Sequence, residues 1–212
     1  MVAHRSRCGV RLLVLTLNSA DLQVHFYISI LLPTPFGKSE GEDRGLFMFK
    51  PTYVFNDVTK ITPQFLKRKH IKGLLLDLDN TLTTHNNPVP PQSSLDWLAK
   101  MKAAGIKLMI VSNNKTERVT PFAKQLGLPF VPNGCKPLPI GYIKAREIMG
   151  IPKRDIAAVG DQIFTDVMGC NLMGIRSIFV FPIEPETSLP FRFKRAIERP
   201  LLPKRPTNVE EG

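Results

Sequence analysis

Cysteine is scarce in this chain: Cys8, Cys135 and Cys170 lie scattered among 212 residues, with no CxxC pair and no Cys/His cluster. That argues against a disulfide framework or a zinc site and favours a reducing compartment. The four histidines, His4, His25, His70 and His85, also lack metal-ligand spacing, which leaves them ordinary surface or core roles. Long apolar runs are missing as well. Leu12 to Leu17 and Val24 to Leu32 are separated by Asn18, Asp21 and Gln23, and neither is long enough to span a bilayer. Acidic residues are in deficit: 18 Asp and Glu stand against 29 Lys and Arg, a net charge of +11. Such a balance points to anionic partners, whether phosphoesters, nucleic acid or acidic lipid surfaces, without choosing among them.

What is present is the composition of an ordinary globular protein, 43% hydrophobic and 22% charged, in a chain long enough for one packed domain with tails. Two basic clusters, Lys67, Arg68, Lys69 and Lys72, then Arg192, Lys194, Arg195 and Arg199, have no aromatic stacking pattern beside them. They read as solvated faces, and no dedicated nucleic-acid motif is expected. Residues 1–47 contribute five basic and four acidic residues, hence +1 of the total charge. Arg5, Arg7 and Arg11 before an apolar run give this segment a loose likeness to a signal peptide. The expectation is a dispensable, disordered or misassigned extension over 1–47, with Met48 as an alternative start and a weak membrane-associating segment as the rival reading. Residues 48–200 then form the folded domain and 201–212 a C-terminal tail. Phe49, Pro51, Tyr53 and Val54, leading through Ile61 and Phe65, are expected to lend contacts to its sheet.

After residue 70 the chain repeats one pattern, a short apolar run, a polar loop and a helix closed by glycine. Strands are expected at Gly73 to Leu78, Ile106 to Val111, Leu128 to Val131, Ile156 to Val159 and Arg176 to Phe181. Helices are expected between them: one capped by Ser93 or Ser94 and ending near Gly105, then Thr116 to Leu126, Ile140 to Met149 and Thr165 to Met173. This alternation predicts a doubly wound, Rossmann-like parallel sheet in a three-layer α/β/α arrangement. Right-handed crossovers would bring all strand ends to one edge.

The densest chemistry lies at the end of the first of these strands, in Leu74-Leu75-Leu76-Asp77-Leu78-Asp79-Asn80-Thr81. Side chains alternate along a strand, so Asp77 and Asp79 would face the same side, and two like charges that close call for a cation or a shared proton. A turn or helix cap is the alternative for this pair. Ser112-Asn113-Asn114 follows the second strand, Lys136 the third, and Gly160-Asp161-Gln162 the fourth, with Thr165 and Asp166 just beyond. Each has a bland explanation alone. Recurring after successive strands, they converge on the crevice where open α/β sheets bind ligands.

Over residues 48–200 these motifs resemble the haloacid dehalogenase superfamily of phosphatases. Asp77-Leu78-Asp79-Asn80-Thr81 matches its DxDxT motif, Ser112 its second motif, Lys136 its third, and Gly160-Asp161 with Asp166 its acidic fourth. Gly160 to Asp166 and Val111 to Asn114 are similar, more narrowly, to the YqeG-like branch of subclass IIIA, itself similar to mitochondrial phosphatidylglycerophosphate phosphatases. The resemblance implies Asp77 as nucleophile, Asp79 as general acid and base, and Mg²⁺ held by Asp77, the Asp79 carbonyl and Asp161. It implies phosphate binding by Thr81, Ser112, Asn113 and Lys136, with Asp166 orienting the metal shell or Lys136, or else capping a helix.

Only 30 residues separate Thr81 from Ser112, and 23 separate Ser112 from Lys136, each interval filled by one helix and one strand. No substantial cap domain fits, so the site should be open to a phosphate borne by something large, a lipid at an anionic membrane surface included. Ser188 to Ile197 could form a short amphipathic basic helix there, although docking of Phe193 and Ile197 into the core is the stronger expectation. The expected localisation is cytoplasmic, or peripheral at the inner membrane surface. A phosphatase of soluble sugar phosphates or nucleotides, a noncatalytic RNA- or ribosome-binding module and a phosphoreceiver domain are the rivals. The oligomeric state is not legible.

Overall fold

The computed structural model describes residues 11–13, 30–32, 47–85, 87–185 and 189–203. The chain divides into two compact units, Met1–Phe47 and Met48–Gly212. In the first, Arg11–Leu13 (β1) pairs antiparallel with Ile30–Leu32 (β2). Apart from these strands, the expectation for residues 1–47 lies outside the described residues, as does that for most of the 201–212 tail. No helix among the described residues is long and apolar enough to cross a membrane.

The second unit is built on six strands: Tyr53–Phe55 (β3), Gly73–Leu76 (β4), Lys107–Val111 (β5), Phe130–Val131 (β6), Ile156–Gly160 (β7) and Arg176–Val180 (β8). They are ordered β3-β8-β7-β4-β5-β6 and every pairing is parallel. The doubly wound arrangement is as expected. The segment from Phe49 to Phe65 goes further than lending contacts: it supplies β3, an edge strand whose Val54 and Phe55 are buried.

β4 lies at the centre, apolar and buried along its whole length, as a strand covered on both faces must be. Its alternation sorts the core into two layers. Leu74 and Leu76 pack with Phe65 of Pro63–Arg68 (α1), Leu98 of Gln92–Ala103 (α2) and Phe122 of Thr116–Leu126 (α3). Leu75 faces the other way, toward Tyr142 and Met149 of Ile140–Met149 (α4) and Cys170 of Met168–Met173 (α5). A last helix, Leu189–Glu198 (α6), follows β8. One helix and one strand fill each interval that could have carried a cap, so neither interval inserts a cap domain.

Two local expectations are corrected. α2 begins at Gln92 behind Pro91, with no side-chain cap, and Ser94 is buried in its first turn instead of capping it. Proline holds φ near the value that leads into a helix, so the turn starts without a serine. The helix expected from Thr165 begins only at Met168; residues Ile163–Val167 form a π-helical turn instead, in which Val167 N–H bonds to Gln162 O across five residues. Wide turns of this kind concentrate at functional sites; this one carries Thr165 and Asp166.

α4 seats the loop after β6 by close backbone approach. Gly141 N–H donates to Gly134 O at 3.1 Å, and a Cβ on Gly141 would lie 2.5 Å from that oxygen and 2.8 Å from Gly134 Cα. Backbone cannot swing aside as a side chain can. Gly141→Ala is therefore expected to destabilise the protein by about 1–3 kcal/mol in urea unfolding; a change of only a few tenths would show that the contact relaxes freely.

Candidate active site

Asp77 continues β4 by one residue, its N–H bonded to Val159 O at 2.9 Å, so its side chain is fixed by the sheet itself. Beyond it the chain turns sharply. Asn80 takes a left-handed conformation, φ 59°, which asparagine tolerates better than most residues. Its carbonyl and side chain accept the backbone N–H groups of Ile183 and Glu184, each at 3.2 Å. The turn buries Thr81, whose hydroxyl oxygen has no hydrogen-bond partner among the described residues.

Lys136 reaches the same point from the loop after β6. Asn113 fastens that loop through both ends of its amide, accepting Lys136 N–H at 2.7 Å and donating to Lys136 O at 2.9 Å. The amide of Asn113, expected to bind phosphate, is thus engaged with the lysine's backbone. Ser112 is buried and its hydroxyl accepts the N–H of Asn114 at 3.1 Å.

The Lys136 ammonium, 3% exposed, contacts Asp77 Oδ1 and lies 2.6 Å from Asp166 Oδ1. Burial pushes the Asp77 carboxyl up to about 7; Lys136 draws it down, and Asp166 and Asp161 push it up. Lys136 is held above the ordinary lysine range, because Asp166 and Asp77 outweigh the cost of burying its charge. Asp166 is further fixed by Gln162 N–H at 3.2 Å. It presses so close to Gly160 that a Cβ there would meet its Cγ at 2.3 Å. No side chain can replace that glycine without moving the carboxylate.

Asp77, Asp161 and Asp166 each offer one carboxylate oxygen, and these atoms lie within 4.8 Å of one another. A wholly oxygen donor set of this kind suits a small, hard divalent cation. The Asp79 carboxylate is turned elsewhere, onto Arg118 Nη2 at 2.8 Å and the side-chain amide of Asn114. Asp161 has its own counterion in Arg195 of α6, which contacts its carboxylate and lies 2.5 Å from its carbonyl. Cys170 is fully buried and its thiol is pushed up to about 12 by that burial, so it offers no thiolate.

The structure therefore gathers Asp77, Asp79, Thr81, Ser112, Lys136, Asp161 and Asp166 at one edge. Sequence reasoning brought Asn114 to this edge without a role for it, and missed Arg118 and Arg195. Arg118 had a readable signal, since it falls in the first turn of the helix that leaves the edge just after Ser112. Arg195 stood inside a basic cluster read as a solvated face, and only tertiary packing singles it out.

The family description "haloacid dehalogenase-like hydrolase" matches residues 86–174, and "Mitochondrial PGP phosphatase" matches residues 45–126. The probable phosphatase YqeG of Bacillus subtilis is 38% identical over 154 residues, 73% of this chain and 90% of that protein. The chain belongs to the YqeG-like branch of the haloacid dehalogenase superfamily. It is a phosphatase of that type. The mitochondrial phosphatidylglycerophosphatase GEP4 of Saccharomyces cerevisiae is 29% identical over 124 residues, 52% of this chain and 66% of that protein. A 4-nitrophenylphosphatase from Thermotoga maritima shares the fold, with a TM-score of 0.50 at 15% identity over 68% of this chain and 95% of that one.

Removing a buried charge leaves its partners uncompensated. Lys136→Met should therefore cost about 3 kcal/mol of stability in chelator-containing buffer, read by chemical denaturation. A cost below about 1 kcal/mol would mean that the surrounding carboxylates do not depend on the ammonium.

Proposed function

We propose that this phosphatase hydrolyses phosphomonoesters through an aspartyl-phosphate on Asp77. The observation that carries the reading is the Lys136 ammonium shared between Asp77 and Asp166, with Asp161 completing the carboxylate cluster at the open edge. A carboxylate oxygen of Asp77 attacks phosphorus, the bond to the leaving oxygen breaks, and Asp79 delivers a proton to that oxygen. Water then attacks the same phosphorus and the bond to Asp77 breaks. The proton released by the water returns to Asp79, leaving inorganic phosphate and the alcohol.

The buried Thr81 hydroxyl, Ser112 and Lys136 bind the phosphoryl oxygens, Lys136 as a point charge that also answers the negative charge of the nucleophile. Asn113 acts one step back by holding the Lys136 loop, and Asp166 orients the Lys136 ammonium. Arg118 and Asn114 fix the direction of the Asp79 carboxylate. Mg²⁺ suits the oxygen donors of Asp77, Asp161 and the Asp79 carbonyl, and when bound it would offset carboxylate repulsion and polarise a phosphoryl oxygen. Phosphatidylglycerophosphate is the candidate substrate. It is supported by the match over residues 45–126, by the similarity to the yeast enzyme and by the lack of a cap inserted after either motif strand.

Asp77→Asn should lower turnover of phosphatidylglycerophosphate in mixed micelles, and of p-nitrophenyl phosphate, by about a thousandfold or more with the thermal midpoint preserved. Turnover within severalfold of the parent in a folded variant would remove Asp77 from the nucleophile role. Chelation should abolish activity and added Mg²⁺ should restore it. Full activity in a rigorously metal-free preparation would contradict the cation assignment, and hydrolysis confined to soluble phosphates would contradict the lipid substrate.

A further inference from the structure

α6 has an inner and an outer side with different chemistry. Inward, Arg195 holds Asp161, and Glu198, fully buried, accepts the N–H of Phe164 at 2.9 Å while lying 3.2 Å from Arg195. The helix is thereby tied to the carboxyl end of β7, beside the site. Outward, Leu189, Phe193 and Ile197 recur every fourth residue, which stacks them on one stripe roughly opposite Arg195 and Glu198. Leu189 is 76%, Phe193 60% and Ile197 45% exposed. The docking of Phe193 and Ile197 into the core, expected from sequence, is thus overturned: the inner side of the helix is occupied by an ion pair, and the apolar residues are left in water.

Aligned apolar side chains standing in water mark an interaction surface more than a solvated face. Their surroundings say what kind. Arg192 and Arg199 are exposed on the same helix and just past its end, while the acidic residue of the helix, Glu198, is turned inward. The chain as a whole carries a net +11. An apolar stripe bordered by arginines on a helix without outward acid is the pattern of an interfacial helix on an anionic bilayer.

We propose that α6 docks this phosphatase on an anionic lipid surface. Leu189, Phe193 and Ile197 enter the boundary between headgroups and acyl chains, and Arg192 and Arg199 meet lipid phosphates. One helix diameter, about 10 Å, then separates the bilayer from the carboxylates that Arg195 touches, so a headgroup phosphate needs little excursion to reach the site. That consequence rests on the phosphatase reading given above; the docking itself does not.

The test is flotation of the full chain with vesicles of phosphatidylcholine alone or of phosphatidylcholine with phosphatidylglycerol, compared with the double variant Phe193→Glu and Ile197→Glu. The parent should float with the anionic vesicles and not with the neutral ones. The variant should lose binding by more than about tenfold, with its thermal midpoint and its turnover of soluble p-nitrophenyl phosphate unchanged. Arg192→Gln with Arg199→Gln should weaken binding to anionic vesicles in the same direction. Failure of the parent to float, equal flotation of parent and Phe193/Ile197 variant, or binding of RNA or of a second copy through this stripe in place of vesicles would each overturn the proposal. Flotation without any p-nitrophenyl phosphate turnover would sink the catalytic reading and leave the docking standing; turnover without flotation would do the reverse.

Discussion

The carboxyl edge of this sheet holds together because one buried ammonium is shared among acids that would otherwise repel. Asp77 is fixed by the β4 ladder and Asp166 by the π-helical turn after β7, so neither can retreat from the other. Lys136 sits between them. Desolvating such charges is costly, and the cost is offset only when opposite charges and hydrogen bonds arrive together in good geometry. Much of the local architecture serves that requirement: the amide of Asn113 clamps the lysine's backbone, Gly141 seats its loop against α4, and Gly160 leaves room for Asp166.

The same logic extends outward along the edge. Asp161 is balanced by Arg195 and Asp79 by Arg118, so each acid at the strand ends meets a base carried on a different element. A site assembled this way holds its acids together without leaving any of them to repel another unanswered. With no cap inserted in either interval, access from the described residues is shaped by what lies beside the edge. The element lying there is α6, whose inner ion pairs hold it in place while its outer stripe remains open to solvent.

Much of this was legible in sequence, for definite reasons. The strands β4, β5, β7 and β8 announced themselves as apolar runs, and the glycines after α3, α4 and α5 marked helix ends that the structure closes in left-handed conformations. β3 escaped because three residues, Tyr53–Phe55, give no periodicity to read. The motif residues were legible because each follows a strand. The position of Arg118 was legible in the same way, but its pairing with Asp79 was not, nor was that of Arg195 with Asp161, since those partners stand 39 and 34 residues away and only folding brings them together. Arg195 shows the limit most clearly: within one basic cluster, Arg192 and Arg199 are solvated as composition suggests, whereas Arg195 turns inward because its position on the helix faces the site.

The central claim is that Asp77 becomes covalently phosphorylated. The most direct measurement is rapid acid quench of enzyme turning over a phosphate-labelled substrate, followed by borohydride reduction and peptide mass spectrometry, which converts an aspartyl-phosphate into a mass-marked homoserine. The account predicts the mark at position 77, dependent on substrate and lost when the intermediate is allowed to hydrolyse before quenching. A mark at another residue, or turnover with no protein-bound phosphate when hydrolysis of any such adduct is the slow step, would contradict it.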